Sequence, residues 1–263
     1  MADSPHISVV LPTFNEAGNI VPLIDRVAAA LDGVPHEILV MDDRSPDGTA
    51  ALARQAATAH PQTQVVERDP PAGLTLSIDD GIHRARGTFV TWMDCDFSHP
   101  PELLPQLFAP LRAGEADITC ASRYVYGGAD NRGEPTAVFA SLAITKLARW
   151  FVDRRVLDYT TGYVMAPRAL LLELGLRGDY GEYCIELLGS AALRGYRVRE
   201  LPYESIPRVE GESKTATNVL GFARRGWRYL VTIGRLRFTR RKIAAQGVAR
   251  GTTTRDLEPG EAG

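Results

Sequence analysis

The amino-terminal part of this chain repeats one plan, and that plan restricts the fold more than any other feature. Ile7-Ser8-Val9-Val10-Leu11 is a short β-rich apolar run that stops at Pro12-Thr13-Phe14-Asn15-Glu16, and a helical pattern follows from Asn19 to Leu31. Glu37 to Met41 is the next strand, Asp42-Asp43-Arg44-Ser45-Pro46-Asp47-Gly48-Thr49 is its loop, and Ala50 to Ala59 is its helix. A third strand, Gln64 to Glu67, precedes a helical stretch from Leu74 to Arg86, and Thr88 to Met93 reads as a fourth, buried strand. Asp117 to Ala121 reads as a fifth. Strands alternating with helices at this spacing predict βαβ units and a mostly parallel sheet flanked by helices. Crossovers of one hand place the strand-end loops on one rim, where ligands of open α/β sheets bind.

The fourth strand ends in Trp92-Met93-Asp94-Cys95-Asp96. Strand alternation sends Asp94 and Asp96 to one side and Cys95 away from them, into the core. Hard oxygen ligands there suit Mg²⁺ or Mn²⁺, and such a metal would hold a diphosphate. Asp42 and Asp43 open the second rim loop, where Ser-Pro-Asp-Gly is also good turn chemistry in its own right. A bare D-x-D recurs by chance, so its meaning comes from the neighbouring motifs.

Together these motifs resemble the inverting family 2 glycosyltransferases with the GT-A fold, and within them the polyprenyl-phosphate (dolichol-phosphate) mannose synthase branch. The resemblance is carried by Pro12 to Glu16, Asp42 to Thr49 and Asp94-Cys95-Asp96-Phe97-Ser98-His99-Pro100-Pro101-Glu102. Ser122 to Gly128, Asp158 to Tyr163 and Arg208-Val209-Glu210-Gly211-Glu212-Ser213-Lys214 extend it over roughly residues 6 to 240. It implies transfer of a hexose, mannose foremost, from a nucleotide-diphosphate sugar (GDP-mannose, or a UDP-sugar) to a lipid-linked phosphate. On that resemblance Pro12, Phe14, Asn15, Glu16, Asp43, Asp94 and Lys214 bind the nucleotide sugar. Asp94, Asp96 and Ser98 lie at the metal, with Mg²⁺ or Mn²⁺ as cofactor. Arg123, Arg132 and Ser141 face the acceptor, and Asp96, Arg208 and Arg123 carry the chemistry.

The residue types agree with that assignment. Asp96, with Asp94 directly or through water, would hold the metal against the departing diphosphate. Arg208 and Lys214 flank Gly211 in a loop able to close over the donor. A phosphomonoester acceptor, with a second pKa of about 6, is already an anion near neutrality and needs positive charge more than a base. Arg123, after the fifth strand, is placed to supply it. The five histidines form no evident catalytic pair; His99 either caps the helix expected from Pro100 or touches the site. Glu186, within the helical stretch Tyr183 to Arg194, either reaches the site or partners an arginine, and Asp158 is expected to brace the turn before Thr160-Thr161-Gly162.

This chain departs from the branch at three places. Ser98 stands where the branch carries Gln beside the metal. The Gly-Leu-Gly-x-Ala run of the family is here Gly73-Leu74-Thr75-Leu76-Ser77, followed by Asp79-Asp80. The Arg expected four residues before Ser141 is absent, Pro135-Thr136-Ala137 standing there, and Arg132 is the nearest candidate. A soluble acceptor, in polysaccharide or secondary-metabolite assembly, is the alternative within the class. Outside it stand a nucleotidyltransferase, disfavoured by an acidic first loop with no glycine before Gly18, and a non-catalytic nucleotide-sugar binder.

A chain of 263 residues, 44% hydrophobic, can bury one sizeable core. Its net charge of −2 gives no general pull toward nucleic acid. The three cysteines lack zinc spacing and suggest a reducing compartment. Met1 to Ile7 lacks the features of a signal peptide and no apolar run reaches the ~18 residues of a spanning helix, so a cytoplasmic protein is expected. From Val219 to Lys242 there are eight basic residues and no acidic one. On a helical wheel Arg224, Arg225, Arg228 and Arg235 gather on one face, with Trp227, Leu230, Ile233 and Leu236 on the rest. A basic amphipathic helix with aromatics suits a membrane surface, which predicts peripheral association. The expected division is a GT-A catalytic domain over 6–214, the basic helix over 215–243, and a disordered tail over 244–263.

Overall fold

A computed structural model describes residues 6–133, 135–205 and 219–247. In chain order the elements are β1 (Ile7–Thr13), α1 (Ile20–Ala30), β2 (His36–Asp42), α2 (Thr49–Ala56), β3 (Thr63–Glu67), α3 (Leu74–Arg84) and β4 (Phe89–Trp92). A 3₁₀ turn, Pro101–Leu103, leads into α4 (Leu104–Arg112). Then come β5 (Ile118–Ser122), β6 (Ala129–Asp130), α5 (Pro135–Phe151), β7 (Val164–Pro167), α6 (Arg168–Leu174), α7 (Glu182–Arg194), β8 (Val198–Pro202), β9 (Glu204–Ser205) and α8 (Val219–Gln246).

Seven strands form the main sheet in the order β3-β2-β1-β4-β7-β5-β8. All run in one direction except β7, which is antiparallel to both β4 and β5. The inner strands β1, β2, β4, β5 and β7 are buried on both faces, and β1, β2 and β4 accordingly read as apolar runs, whereas the edge strands β3 and β8 are partly exposed. Alternation divides them. Ile7, Val9, Leu11, Ile38 and Val40 pack under α1, α2 and α4, against Ile20, Leu23, Val27 and Leu107. Val10, Leu39, Met41, Val90 and Trp92 pack under α3 and α7, against Ile78, Ile82, Tyr183 and Leu187. Trp92 is fully buried and its indole N–H donates to the Tyr183 hydroxyl at 2.9 Å. Burying such a ring stabilises the fold by about 1.5–3 kcal/mol, and the hydrogen bond removes the cost of its polar atom.

β1 and β2 extend to Thr13 and Asp42, beyond the apolar residues that announce them. The parallel ladder continues to the Thr13–Asp42 pair, and the Thr13 hydroxyl donates to Asp42 Oδ1 at 3.0 Å. Side-chain pairing thus carries both strands up to the rim. The sheet order reverses between β1 and β4, the position at which doubly wound sheets open a crevice for ligand. Because β7 runs against its neighbours, its entry turn, Thr160 to Tyr163, lies on the same rim as the ends of the parallel strands.

Candidate active site

The crevice is floored by the loops after β1 and β2, which are stitched together. Ser45 Oγ accepts from the backbone N–H of Asn15 at 2.9 Å, Thr49 Oγ1 from Glu16 at 2.9 Å, and Asp47 Oδ2 from Ala17 at 3.0 Å. Asp42 is fully buried and accepts the Ser45 backbone N–H at 2.8 Å and its hydroxyl at 2.6 Å. Asp42 is therefore a brace for the loop. Phe14 and Asn15 are exposed above it, and Pro12 and Glu16 are half-buried. Asn15, Arg44 and Phe97 all adopt left-handed backbone conformations, with φ of 57°, 57° and 62°. Each sits in the loop after β1, β2 or β4. Side chains rarely hold this geometry unless the surroundings enforce it, and such residues cluster at functional sites.

Asp43 projects beside this floor. Its carboxylate is ion-paired with Arg68, which follows β3, and accepts the Gly73 backbone N–H at 2.8 Å and the Ser77 hydroxyl at 3.4 Å. Arg68 is itself only 8% exposed and has a second carboxylate, Asp80, at 3.4 Å. Ser77 and Asp80 both belong to the departed Gly73–Asp80 stretch, so that stretch holds Asp43 rather than abandoning it. Thr75, where the family carries glycine, is buried with its hydroxyl toward the Tyr180 carbonyl at 3.5 Å. Arg68 was not singled out in the sequence; a lone basic residue directly after the third strand is the signal that marks it.

The β4 loop enters the crevice from the other side of the switch point. Cys95 is buried with its Sγ 3.7 Å from the Pro12 carbonyl, which ties this loop to the one after β1. Asp96 is 7% exposed and its Oδ1 accepts the Ser98 backbone N–H at 3.0 Å, while Asp94 and Ser98 are half-buried. Among the described residues no three His, Cys, Asp or Glu side chains converge into a complete cage. Two carboxylates one residue apart at the crevice fit a hard divalent ion whose remaining ligands are phosphate oxygens and water. His99 neither caps a helix nor faces solvent. It is 5% exposed and stacks on Tyr163 at 4.9 Å. Its Nδ1 accepts the Asp94 backbone N–H at 3.1 Å, so its Nε2 carries the hydrogen and donates to the Thr161 carbonyl at 3.2 Å.

The acceptor candidates come together on the β5 side. Arg123 is 4% exposed; Asp158, fully buried, takes its Nε and Nη2 at 2.8 Å each, and Thr160 Oγ1 accepts a further bond from Nη2 at 2.8 Å. Burial opposes the Arg123 charge, but the Asp158 carboxylate overrides it and raises the arginine pKa. Asp158 also accepts the Thr160 backbone N–H at 3.0 Å, bracing the turn as expected. Arg123 Nη1 lies 3.4 Å from Asp130, which binds Arg132 through both Nε and Nη2 at 2.7 Å. Arg132 Nη2 then reaches the Ser141 hydroxyl on α5 at 3.0 Å. Gly127 and Gly128 make this possible. Gly127 has φ of +87°, and a Cβ on Gly128 would stand 2.5 Å from the Ser122 carbonyl oxygen, so only glycine lets β6 fold back onto Arg123. Asp130, at the centre of the cluster, was not anticipated from the sequence.

The carboxyl-terminal helix corrects one expectation. Arg228 pairs with Asp179 and approaches Glu182 at 3.8 Å, and Arg235 pairs with Glu186 at 2.8 Å. These arginines dock α8 onto α7 and the residue stretch before it, Glu186 being the partner of Arg235. Trp227, Leu230, Val231 and Phe238 are exposed on the same helix, together with Arg237, Arg240, Arg241 and Lys242. The Arg224 and Arg225 side chains, and Arg208 and Lys214 altogether, lie outside the described residues.

A three-layer α/β domain with paired carboxylates at its switch point and one reversed strand is the architecture of nucleotide-diphospho-sugar transferases, the GT-A fold. The model of Glycosyl transferase family 2 matches residues 8–174, more than half of the chain, and the protein belongs to that family of glycosyltransferases. It is 36% identical over 214 residues to a polyprenol monophosphomannose synthase of Mycolicibacterium smegmatis, covering 78% of this chain and 79% of that protein. It is 39% identical over 122 residues to a dolichol-phosphate mannosyltransferase of Pyrococcus furiosus, covering 46% of this chain and only 34% of that protein. Among solved structures it is similar in fold to glucosyl-3-phosphoglycerate synthase of Mycobacterium tuberculosis in complex with Mn²⁺, UDP-glucose and phosphoglyceric acid. That likeness has a TM-score of 0.67 at 21% identity, over 89% of this chain and 80% of the other. The same enzyme with Mg²⁺ and UDP gives a TM-score of 0.66 at 21% identity, with the same coverage.

Proposed function

We propose that this protein transfers mannose, with inversion, from GDP-mannose to a polyprenyl-type phosphate at a membrane surface. The observation that carries this reading is the match to polyprenol monophosphomannose synthase along 78% of the chain. The site supports it chemically. Asp43, set by Arg68, Gly73 and Ser77, lies where the nucleotide would bind, with Pro12, Phe14, Asn15 and Glu16 alongside. Asp94 and Asp96, with Ser98 through water, would hold Mg²⁺ or Mn²⁺, which would supply Lewis-acid stabilisation of the diphosphate. Arg208 and Lys214 would add charge from the segment after β9. Across the crevice Arg132, Ser141 and the Arg123 edge offer an anion seat. A phosphate delivered there is ionised already and attacks without a general base.

The outer surface supports a membrane approach. No helix among the described residues is long and apolar enough to cross a bilayer. Phe139 and Trp150 on α5 are 73% and 70% exposed, and Trp227 and Phe238 on α8 are 67% and 91% exposed. α5 and α8 carry no acidic residue. Arg154 stacks over Trp150 at 5.1 Å. Exposed aromatics among arginines suit the boundary between headgroups and acyl chains. The division into a catalytic domain over 6–214 and a membrane-facing helix beyond it is part of the same proposal.

The test is an assay of radiolabelled GDP- and UDP-sugars against polyprenyl phosphate. Mannose should appear in the lipid phase, from GDP-mannose and only with a divalent metal. Transfer confined to water-soluble acceptors would overturn the reading in favour of the soluble-acceptor alternative.

A further inference from the structure

The acceptor seat already contains an anion belonging to the protein. Asp130 accepts two hydrogen bonds from Arg132 at 2.7 Å, lies 3.4 Å from Arg123 Nη1, and stands 3.4 Å from the Tyr124 hydroxyl. Ser141 Oγ touches the same Arg132 fork at 3.0 Å. Two guanidinium groups and a tyrosine hydroxyl converging on one carboxylate form the donor set that a phosphate takes. The Asp130 side chain is 5% exposed, while Arg132 is 29% exposed and forms the open edge of the cluster.

Charge counting sharpens the point. Asp158 neutralises Arg123 through its paired bonds, and Asp130 neutralises Arg132. The cluster of two arginines and two aspartates is therefore neutral before any acceptor arrives. A phosphate dianion cannot enter it at hydrogen-bond distance with Asp130 in place without meeting a like charge. Asp158 is inaccessible and also braces the Thr160 turn, so it cannot yield. Asp130 can: it belongs to the two-residue strand β6, paired only with the two-residue β9.

We propose that Asp130 is an internal stand-in for the acceptor phosphate. It holds Arg132 and the Arg123 edge in their binding geometry, and the acceptor displaces it from them. This rests on the acceptor reading above, and makes Asp130 a specificity-determining residue. It keeps Arg132 and Arg123 from capturing free phosphate, and admits an acceptor whose other contacts help displace the carboxylate.

Asp130→Asn tests this, because the amide keeps the shape and one acceptor oxygen while removing the charge. The KM for polyprenyl phosphate should fall about ten-fold, the effect of removing one like charge close to the entering anion. Inhibition by inorganic phosphate should strengthen in parallel, and the KM for GDP-mannose should not move. Inorganic phosphate binding, followed by calorimetry, should tighten in the same variant without any turnover. Asp130→Ala, checked for an unchanged melting temperature, should show the same direction in both measurements. An acceptor KM that stays or rises in Asp130→Asn, with phosphate binding unchanged, overturns the stand-in while leaving the acceptor reading intact. A wild-type protein that transfers nothing to polyprenyl phosphate, and whose phosphate binding is unaltered by Asp130→Asn, overturns both.

Discussion

The Asp94 backbone N–H is held by His99 Nδ1 at 3.1 Å, so a buried ring fixes the loop that carries both carboxylates of the D-x-D. Through Nε2 the same ring holds the Thr161 carbonyl at 3.2 Å. The loop after β4 and the entry turn of β7 are thereby one unit. His99→Phe keeps the stack on Tyr163 and loses both hydrogen bonds. It should lower stability by about 1–3 kcal/mol, the cost of unpaired buried polar groups, and raise the metal concentration needed for half-maximal activity. His99→Asn, whose amide oxygen can accept where Nδ1 does, should recover part of the metal affinity. Metal titrations of both variants, beside thermal melts, check this; equal metal affinity in all three proteins would remove His99 from the site.

Asp96→Ala should reduce turnover by about 10²–10³, because the charge developing on the diphosphate loses its counter-charge. Asp94→Ala should be nearly as severe. EDTA should abolish activity and Mg²⁺ or Mn²⁺ should restore it. Full activity in EDTA would move the electrostatic work to the arginines.

Donor and acceptor defects should separate. Asp43→Ala should weaken GDP binding measured by calorimetry. It should also lower the melting temperature, since Arg68 loses its nearest carboxylate in a nearly buried position; breaking such a pair costs about 3–5 kcal/mol, less whatever Asp80 recovers. Arg132→Ala should raise the acceptor KM and leave GDP affinity unchanged. If Arg132→Ala weakens GDP binding as much as Asp43→Ala, the division of the rim is wrong.

The two faces of α8 should answer to different assays. Replacing Arg228 and Arg235 by Glu puts like charges against Asp179, Glu182 and Glu186, and should lower the melting temperature. Replacing Trp227 and Phe238 by Ser should leave the unfolding free energy within ~0.5 kcal/mol of wild type but cut sedimentation with anionic liposomes. Liposome binding that survives the second change would make the helix purely structural.

Acid should unfold the protein through a few braced carboxylates. Burial alone would raise Asp117, but the hydrogen bonds and charge of Arg197 hold it below its usual 3.8; Arg132 and Arg123 do the same for Asp130, and Arg155 for Asp153. A carboxylate with a depressed folded-state pKa contributes stability above its unfolded pKa and loses it as pH falls through the folded value. Denaturant unfolding should therefore show stability declining below about pH 4, and Asp117→Asn should flatten that decline. An unchanged slope in Asp117→Asn would detach this pair from acid unfolding.

The parallel half of the fold was legible because its inner strands β1, β2 and β4 are buried on both faces, which leaves runs such as Val9 to Leu11 and Ile38 to Met41. The D-x-D stood out because two charges close such a run. β7 escaped notice, since Val164–Pro167 is short and its reversed direction is set by neighbours far along the chain. β6 and β9 are two residues each and leave no pattern. The basic stripe of α8 was visible, but not the pairing of its Arg228 and Arg235 with α7 and the residues before it, because Asp179, Glu182 and Glu186 lie some fifty residues earlier. Asp130 was hidden for a different reason: two of its partners, Arg123 and Tyr124, are near in sequence but reach it only through the fold-back at Gly127-Gly128.

The single reversed strand has an evolutionary corollary. Everything assigned to the leaving nucleotide precedes residue 100, and everything assigned to the incoming acceptor follows residue 120, apart from the segment after β9. Among the backbone pairings that join the two halves is the short ladder of β4 with β7, and the His99 ring, the Trp92–Tyr183 hydrogen bond and the bonds from Arg168 to the end of α3 tie them further. A lineage could therefore redraft the second half for a new acceptor while inheriting the first half nearly intact. Chimeras crossing over between Pro100 and Asp117 would be the natural place to look for such exchange.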